Sequence, residues 1–193
     1  LDAAFISGNV LKAAVSLLTL LTLPIMFSEL DTAQYLVALT IFVNSSIFEA
    51  SANGRIGLEY SHSQNSSILK QLYRKLGIIA VIIATVTCYL YMQKADSILT
   101  DDNIQFYYII IFILLCGWNT YLSLNVVIAL NQDKVILLKT LEIASKLIHL
   151  ACMLTLGVYD VGIMYLILLM PIQNIIMLMF LQSKLDHNQK YIG

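Results

Sequence analysis

Long apolar runs separated by short polar links dominate the chain. A helix needs about 20 apolar residues to cross the hydrocarbon core of a membrane. The runs are too long for strands and lack strict alternation of apolar and polar residues. The pattern therefore predicts six transmembrane helices in one domain, 1–193, with short links between antiparallel neighbours. The predicted spans are about 4–27, 32–60, 76–92, 104–130, 135–159 and 161–181.

The longest polar link, residues 61–75, changes character along its length. Its beginning is rich in serine and asparagine, which is typical of a loop. Its second half places isoleucine and leucine at helical spacing beside Lys70, Arg74 and Lys75. This second half predicts a short amphipathic helix that lies in the membrane interface.

Composition agrees with an all-α integral membrane protein. Hydrophobic residues make up 59% of the chain and charged residues 12%, and the mean hydropathy is +0.81. Soluble domains carry about a quarter of charged residues, so most of this surface is predicted to face lipid. The net charge of -1 gives no basic excess that would indicate a nucleic-acid partner. The three cysteines lie inside apolar runs without a metal-binding spacing, and no cofactor is predicted.

Basic residues are divided unevenly between the two sets of links. One side has Lys94 alone, among several acidic residues. The other side has Lys70, Arg74, Lys75, Lys134, Lys184 and Lys190. Because cytoplasmic links carry the excess of basic residues, this asymmetry predicts that both chain ends are cytoplasmic.

Ionisable residues inside the predicted spans are the candidates for function, because a charge in the bilayer is costly and usually faces a bundle interior or a cavity. Glu142, Lys146 and His149 follow at steps of four and three and share one face of the fifth helix. Glu142 and Lys146 also have the favourable order for an ion pair. Two interpretations stay open: a polar stripe along a translocation cavity, or structural and interfacial side chains.

The first two helices carry further intramembrane charges. Lys12 belongs to a polar stripe that is either a cavity wall or a packing seam. Glu49 lies on one face of the second helix, and Arg55 and Glu59 form a pair at i,i+4 about a quarter-turn away. The guanidinium of Arg55 suits a phosphate or carboxylate. The alternative is that this helix leaves the lipid before Arg55.

The sequence contains no P-loop, nucleophile elbow, zinc-protease motif or dinucleotide fingerprint. The chain is therefore predicted not to be an enzyme. A transporter is favoured, and a membrane-embedded enzyme with a site built from distant residues or an assembly subunit is the alternative class.

Two segments resemble the polysaccharide flippases of the Wzx type. Residues 21–35 are similar to the end of the family's first helix and its first outer turn, where a proline precedes an acidic turn and a tyrosine. The matching residues are Pro24, Glu29, Asp31 and Tyr35, and Leu36 stands in place of the family's glycine. Residues 48–61, with the sequence Asn53-Gly54-Arg55, resemble the exit of the family's second helix. Six spans with both ends inside resemble the family's N-terminal half.

The resemblance implies one lobe of a two-lobe transporter of the bacterial inner membrane, in the superfamily that includes the multidrug exporters. Such a protein moves undecaprenyl-diphosphate-linked oligosaccharide for O-antigen or other surface polysaccharide synthesis by alternating access. Arg55 and Lys12 would then meet the diphosphate. The carboxylates Glu49, Glu59 and Glu142 would carry coupling protons or tune the two cations.

The implied partners are the lipid-linked oligosaccharide, membrane lipids, a C-terminal lobe and, as a further candidate, the polysaccharide polymerase machinery. The implied coupling ion is H⁺ or Na⁺. The alternatives are a multidrug or toxic-compound exporter of the same superfamily, and a membrane-embedded enzyme or assembly subunit.

Overall fold

The computed structural model describes residues 2–46, 66–94, 103–159 and 161–185. Within these ranges the chain is helical and has no strand, so the all-α prediction is confirmed for the described part. The helices are α1 (Asp2–Met26), α2 (Glu29–Ser45), α3 (Ser66–Lys94), α4 (Asn103–Leu122), α5 (Leu124–Asn131), α6 (Val135–Val158) and α7 (Ile163–Ser183).

Five stretches of the described helices are long and apolar enough to cross a membrane. The first two are α1 and α3, the third combines α4 and α5, and the last two are α6 and α7. For α1, α6 and α7, the bounds differ by no more than two residues from those predicted. The described part of α2 is 17 residues long, and the rest of the predicted second span lies outside the described residues.

The link between α1 and α2 is short because the second helix has its own N-terminal cap. Only Phe27 and Ser28 separate the two helices. The backbone N–H of Asp31 donates to Ser28 Oγ at 3.2 Å, and this hydroxyl donates to Asp31 Oδ2 at 2.7 Å. Ser28 is thus the N-cap of α2, and the acidic first turn also suits the helix dipole.

Helix α3 begins ten residues earlier than the predicted third span. The separate interfacial helix predicted within residues 61–75 is wrong, because residues 66–75 are the first turns of α3. Leu69 and Tyr73 on these turns are buried against residues of α5, α6 and α7. This packing stabilises the helical conformation beyond the apolar run.

The predicted fourth span is divided into α4 and α5 at Ser123. The Ser123 hydroxyl donates to the carbonyl of Thr120 at 2.8 Å, and the N–H of Val126 donates to the Ser123 carbonyl at 2.9 Å. A serine that bonds back to the preceding turn competes with regular helical hydrogen bonds. Hydropathy does not reveal this break, because both sides of it are apolar.

Helix α7 is the centre of the bundle and packs against α2, α4 and α6. Its Leu166 and Met170 join Phe112, Met153 and other buried residues in the main core. Helix α1 lies at the edge, where it packs on α6 and makes few contacts with α2. A gap therefore separates α1 from α2, and α6 forms its floor.

The beginnings of α3 and α6 and the end of α7 meet at one end of the bundle, where Leu69, Leu138 and Leu181 share a buried cluster. The Lys134 ammonium also donates to the carbonyl of Lys184 there. Five of the six basic residues assigned to one side by the sequence lie in these segments: Lys70, Arg74, Lys75, Lys134 and Lys184. The sixth, Lys190, lies outside the described residues.

Candidate functional site

Helices α1 and α6 run side by side in the same direction. A Cβ atom at Gly8 would lie 3.2 Å from Cβ of Lys139, and one at Gly157 would lie 2.8 Å from Cβ of Met26. These two contacts are 18 residues apart on each helix, or about 27 Å at about 1.5 Å per residue. The helices therefore remain adjacent for most of the thickness of a membrane, and side chains at corresponding heights can meet.

A three-residue ion cluster joins these helices near one end. Glu142 Oε2 accepts hydrogen bonds from Lys12 Nζ at 3.0 Å and from Lys139 Nζ at 3.1 Å. The side chains of Glu142 and Lys139 are 14% and 13% exposed, whereas that of Lys12 is 39% exposed. The close approach of α1 at Gly8 brings Lys12 to a carboxylate 130 residues away in sequence.

Lys146 differs from the other two lysines. The i,i+4 spacing predicts an ion pair with Glu142, but among the described residues Glu142 pairs with Lys12 and Lys139 instead. The ammonium of Lys146 is nevertheless close enough to be attracted by the carboxylate of Glu142 and repelled by the ammonium of Lys12. Lys146 is the twelfth of the 24 residues of α6 and is half-buried. Its side chain therefore leaves the helix near the middle of the span. With Lys146 nearby, three lysines and one carboxylate give this region a net positive charge.

His149, one turn beyond Lys146, links α6 to α2. Its Nε2 and the hydroxyl of Tyr35 are 2.7 Å apart, and both side chains are buried. Either atom can be the donor, since the imidazole tautomer decides the direction. The Gln173 side chain of α7 faces the same ring. The histidine is thus positioned by Tyr35 of α2 as well as by its own helix.

Lys146 and His149 line a cavity of about 130 Å³ between α1, α2 and α6. Its walls combine a cation, hydroxyl groups and aliphatic side chains. The lining residues are Ser16, Thr19, Leu20, Tyr35, Leu39, Lys146 and His149. The cavity can therefore take a small polar group, with the ammonium of Lys146 available to an anion.

The predicted site residues divide into two groups. The structure brings Lys12, Glu142, Lys146 and His149 to one region, where α6 faces α1 and α2. The other three, Glu49, Arg55 and Glu59, lie outside the described residues. Their placement relative to the cavity stays a prediction.

Tyr35 is a site residue that the sequence did not single out as such. It entered only through the family resemblance, as the tyrosine after the acidic turn. The structure buries it in α2 against His149, on the wall of the cavity. A tyrosine inside an apolar helix, seven residues after a serine cap, is the only signal in the sequence, and it is equally typical of an interface anchor.

The polar residues of α4 and α5 lie outside the residues that line this cavity. Asn125 donates from Nδ2 to the carbonyl of Leu178 at 3.3 Å, and so fastens α5 to α7. Among the described residues, no group of three histidine, cysteine or acidic side chains is placed to hold a metal ion.

Comparison of the chain with known protein families, with curated proteins and with solved structures found no match.

Proposed function

We propose that the chain is one lobe of a transporter that moves oligosaccharide linked to undecaprenyl diphosphate across the bacterial inner membrane. The observation that carries the proposal is the ammonium of Lys146, which lines a cavity at the middle of a long apolar helix. An intramembrane charge is costly unless it has a partner or a wet cavity. A transported anion would be that partner during part of the cycle.

The charge of the region favours phosphate over an organic cation. Lys12 and Lys139 share Glu142, so its carboxylate is already engaged by two ammonium groups. Lys146 makes no ion pair within the described part of the chain. Charge-assisted hydrogen bonds from an ammonium and from hydroxyls are the usual means of holding a phosphate.

The size of the cavity limits what it can hold. Pockets for drug-sized ligands have volumes of about 300–1,000 Å³, and this cavity has about 130 Å³. The cavity would therefore receive only the charged group of the lipid carrier. The sugars would lie outside it, in the space between this lobe and the second lobe. Rocking of the two lobes would then expose the site to each side of the membrane in turn.

The alternatives make different demands on the same region. A multidrug exporter would bind organic cations and would need a free carboxylate in the cavity. A membrane enzyme or an assembly subunit would not depend on the charge of Lys146. Variants of Lys146 therefore separate the flippase from the other two functions.

The test is translocation in proteoliposomes that contain the whole protein and a fluorescent undecaprenyl-diphosphate oligosaccharide. We expect Lys146→Gln to abolish protection of the sugar from an added glycosidase, and Lys146→Arg to keep part of it. Lys184→Gln, at the exposed end of α7, is the matched control. Unchanged transport by Lys146→Gln would refute the role of this cavity, and no transport by the unmodified protein would refute the flippase function.

A further inference from the structure

Helix α3 is longer than the hydrocarbon core of a membrane. Its 29 residues span about 43 Å at about 1.5 Å per residue, against a core of about 30 Å. Residues 76–92 contain no charged side chain and span about 26 Å, which covers most of this core. Residues 66–75 therefore extend into the headgroup layer, where Lys70, Arg74 and Lys75 are exposed.

The packing of α3 determines which of its faces points outward. Leu69, Tyr73, Ala80 and Ala84 are buried along one side of the helix. The other side is open to the surroundings of the bundle between Ile68 and Leu90. The orientation of the basic residues is thus set by the core and not by their own contacts.

The outward face of α3 combines a cation with an apolar strip. Lys75, Ile78, Ile82 and Val86 follow at steps of three and four, which places them on one face. Ile78, Ile82 and Val86 are 56%, 56% and 51% exposed. A cation at headgroup level is therefore followed by about three turns of open hydrocarbon surface. This surface is complementary to an anionic phospholipid, in which a negatively charged phosphate is followed by acyl chains.

Two more cations, Lys70 and Arg74, lie on the same turns of α3 as Lys75. Lys70 and Arg74 are one turn apart and exposed, and none of the three forms an ion pair within the described part of the chain. The guanidinium of Arg74 can hold a phosphate through two parallel hydrogen bonds. Basic side chains at this level attract anionic lipid headgroups, and each one adds to the binding energy.

We propose that the outer face of α3 is a binding site for one anionic phospholipid. Arg74 and Lys75 contact its phosphate, Lys70 adds to the field, and an acyl chain lies along Ile78, Ile82 and Val86. The site faces away from the cavity between α1, α2 and α6. It rests only on α3 crossing a membrane, so it stands or falls separately from the flippase function.

Native mass spectrometry of the purified protein tests this site. The protein is released from nanodiscs that contain equal amounts of phosphatidylglycerol and phosphatidylcholine of the same chain length. We expect one phosphatidylglycerol to remain bound. The variant Lys70→Gln/Arg74→Gln/Lys75→Gln should lose roughly tenfold or more of this affinity, since each basic residue near the surface contributes. Inorganic phosphate should not displace the lipid, because it lacks the acyl chains.

Lys94→Gln is the matched control, since it removes one cation at the opposite end of the same helix. The proposal predicts no change for it. Equal retention of the two lipids, or unchanged retention by the triple variant, would overturn the proposal. An equal loss in Lys94→Gln would also overturn it, since binding would then depend on total charge only. A dimer that retains no lipid would assign the face to a second copy of the chain.

Discussion

The bundle contains two close helix pairs that are built in opposite ways. Helices α3 and α4 meet at Gly77 and Gly117, where a Cβ on Gly77 would lie 2.9 Å from the Gly117 carbonyl oxygen. The other residues around this contact are mainly apolar. Helices α1 and α6 also approach at glycines, Gly8 and Gly157, but between them lie an ion cluster and the wall of a cavity.

The difference separates a packing contact from a candidate functional site. The α3–α4 contact provides close backbone packing, which is the usual basis of helix association in lipid. The α1–α6 contact leaves charged groups and open volume at a depth where both are costly. We therefore expect the α3–α4 contact to be destabilised by added side-chain volume. We expect the stability of the α1–α6 contact to depend on the charges of its side chains.

The largest effect is expected from Gly77→Ala. The new methyl group would press on a backbone carbonyl, which cannot move aside as a flexible side chain can. The helices must separate, at a cost of about 3 kcal/mol, near the upper end for overpacking. Thermal unfolding in detergent measures the loss. Gly162→Ala is the control, since nothing lies within 4 Å of its Cβ position. Equal midpoints for the two variants would contradict the packing role of the α3–α4 contact.

An intermediate effect is expected from Glu142→Gln, which acts on the charged seam. Two ammonium groups lose their shared carboxylate, and their repulsion separates α1 from α6. Because Lys12 remains partly exposed, we expect a loss of about 2 kcal/mol, less than for a fully buried pair. Adding Lys12→Gln to this variant should restore part of the stability. Glu29→Gln, at an exposed position of α2, is the control. A double variant that is less stable than Glu142→Gln would show that charge balance is not what holds this seam.

The smallest effect is expected from Tyr35→Phe. This change removes one hydroxyl from the buried contact with His149 and keeps the ring that packs beside it. The expected loss of stability is about 1 kcal/mol, the net value of one hydrogen bond. Tyr159→Phe, 75% exposed at the end of α6, should change nothing. A stabilised Tyr35→Phe protein would mean that the hydroxyl is not bonded to the imidazole in the folded state.

The helices were predictable from hydropathy, because the length of an apolar run can be read from the sequence without knowing what the helix packs against. The misplaced boundaries arise where packing decides. Residues 66–75 continue α3 because Leu69 and Tyr73 find a buried cluster formed by distant segments. The break at Ser123 depends on a single hydroxyl that turns back on the chain. Neither cause changes the local hydropathy.

The sequence was sufficient to identify the residues of the candidate site on α6. It was not sufficient to identify the partners with which they form ion pairs and hydrogen bonds. Steps of three and four placed Glu142, Lys146 and His149 on one face. The same reasoning paired Glu142 with Lys146, since it could not include Lys12 from a helix 130 residues earlier. Tyr35 was missed as a site residue for the same reason, because its partner His149 lies 114 residues away.

The long separation between Lys12 and Glu142 has a consequence for synthesis. The first helix leaves the ribosome with its ammonium unpaired, and its carboxylate partner follows 130 residues later. At about 5–20 residues per second, the wait is roughly 6–26 s. During this time α1 has no α6 to lie against, and Lys12 must stay near the water or beside the insertion machinery. The arrival of Glu142 would then draw α1 to its final depth, so the edge of the bundle would be completed late in its assembly.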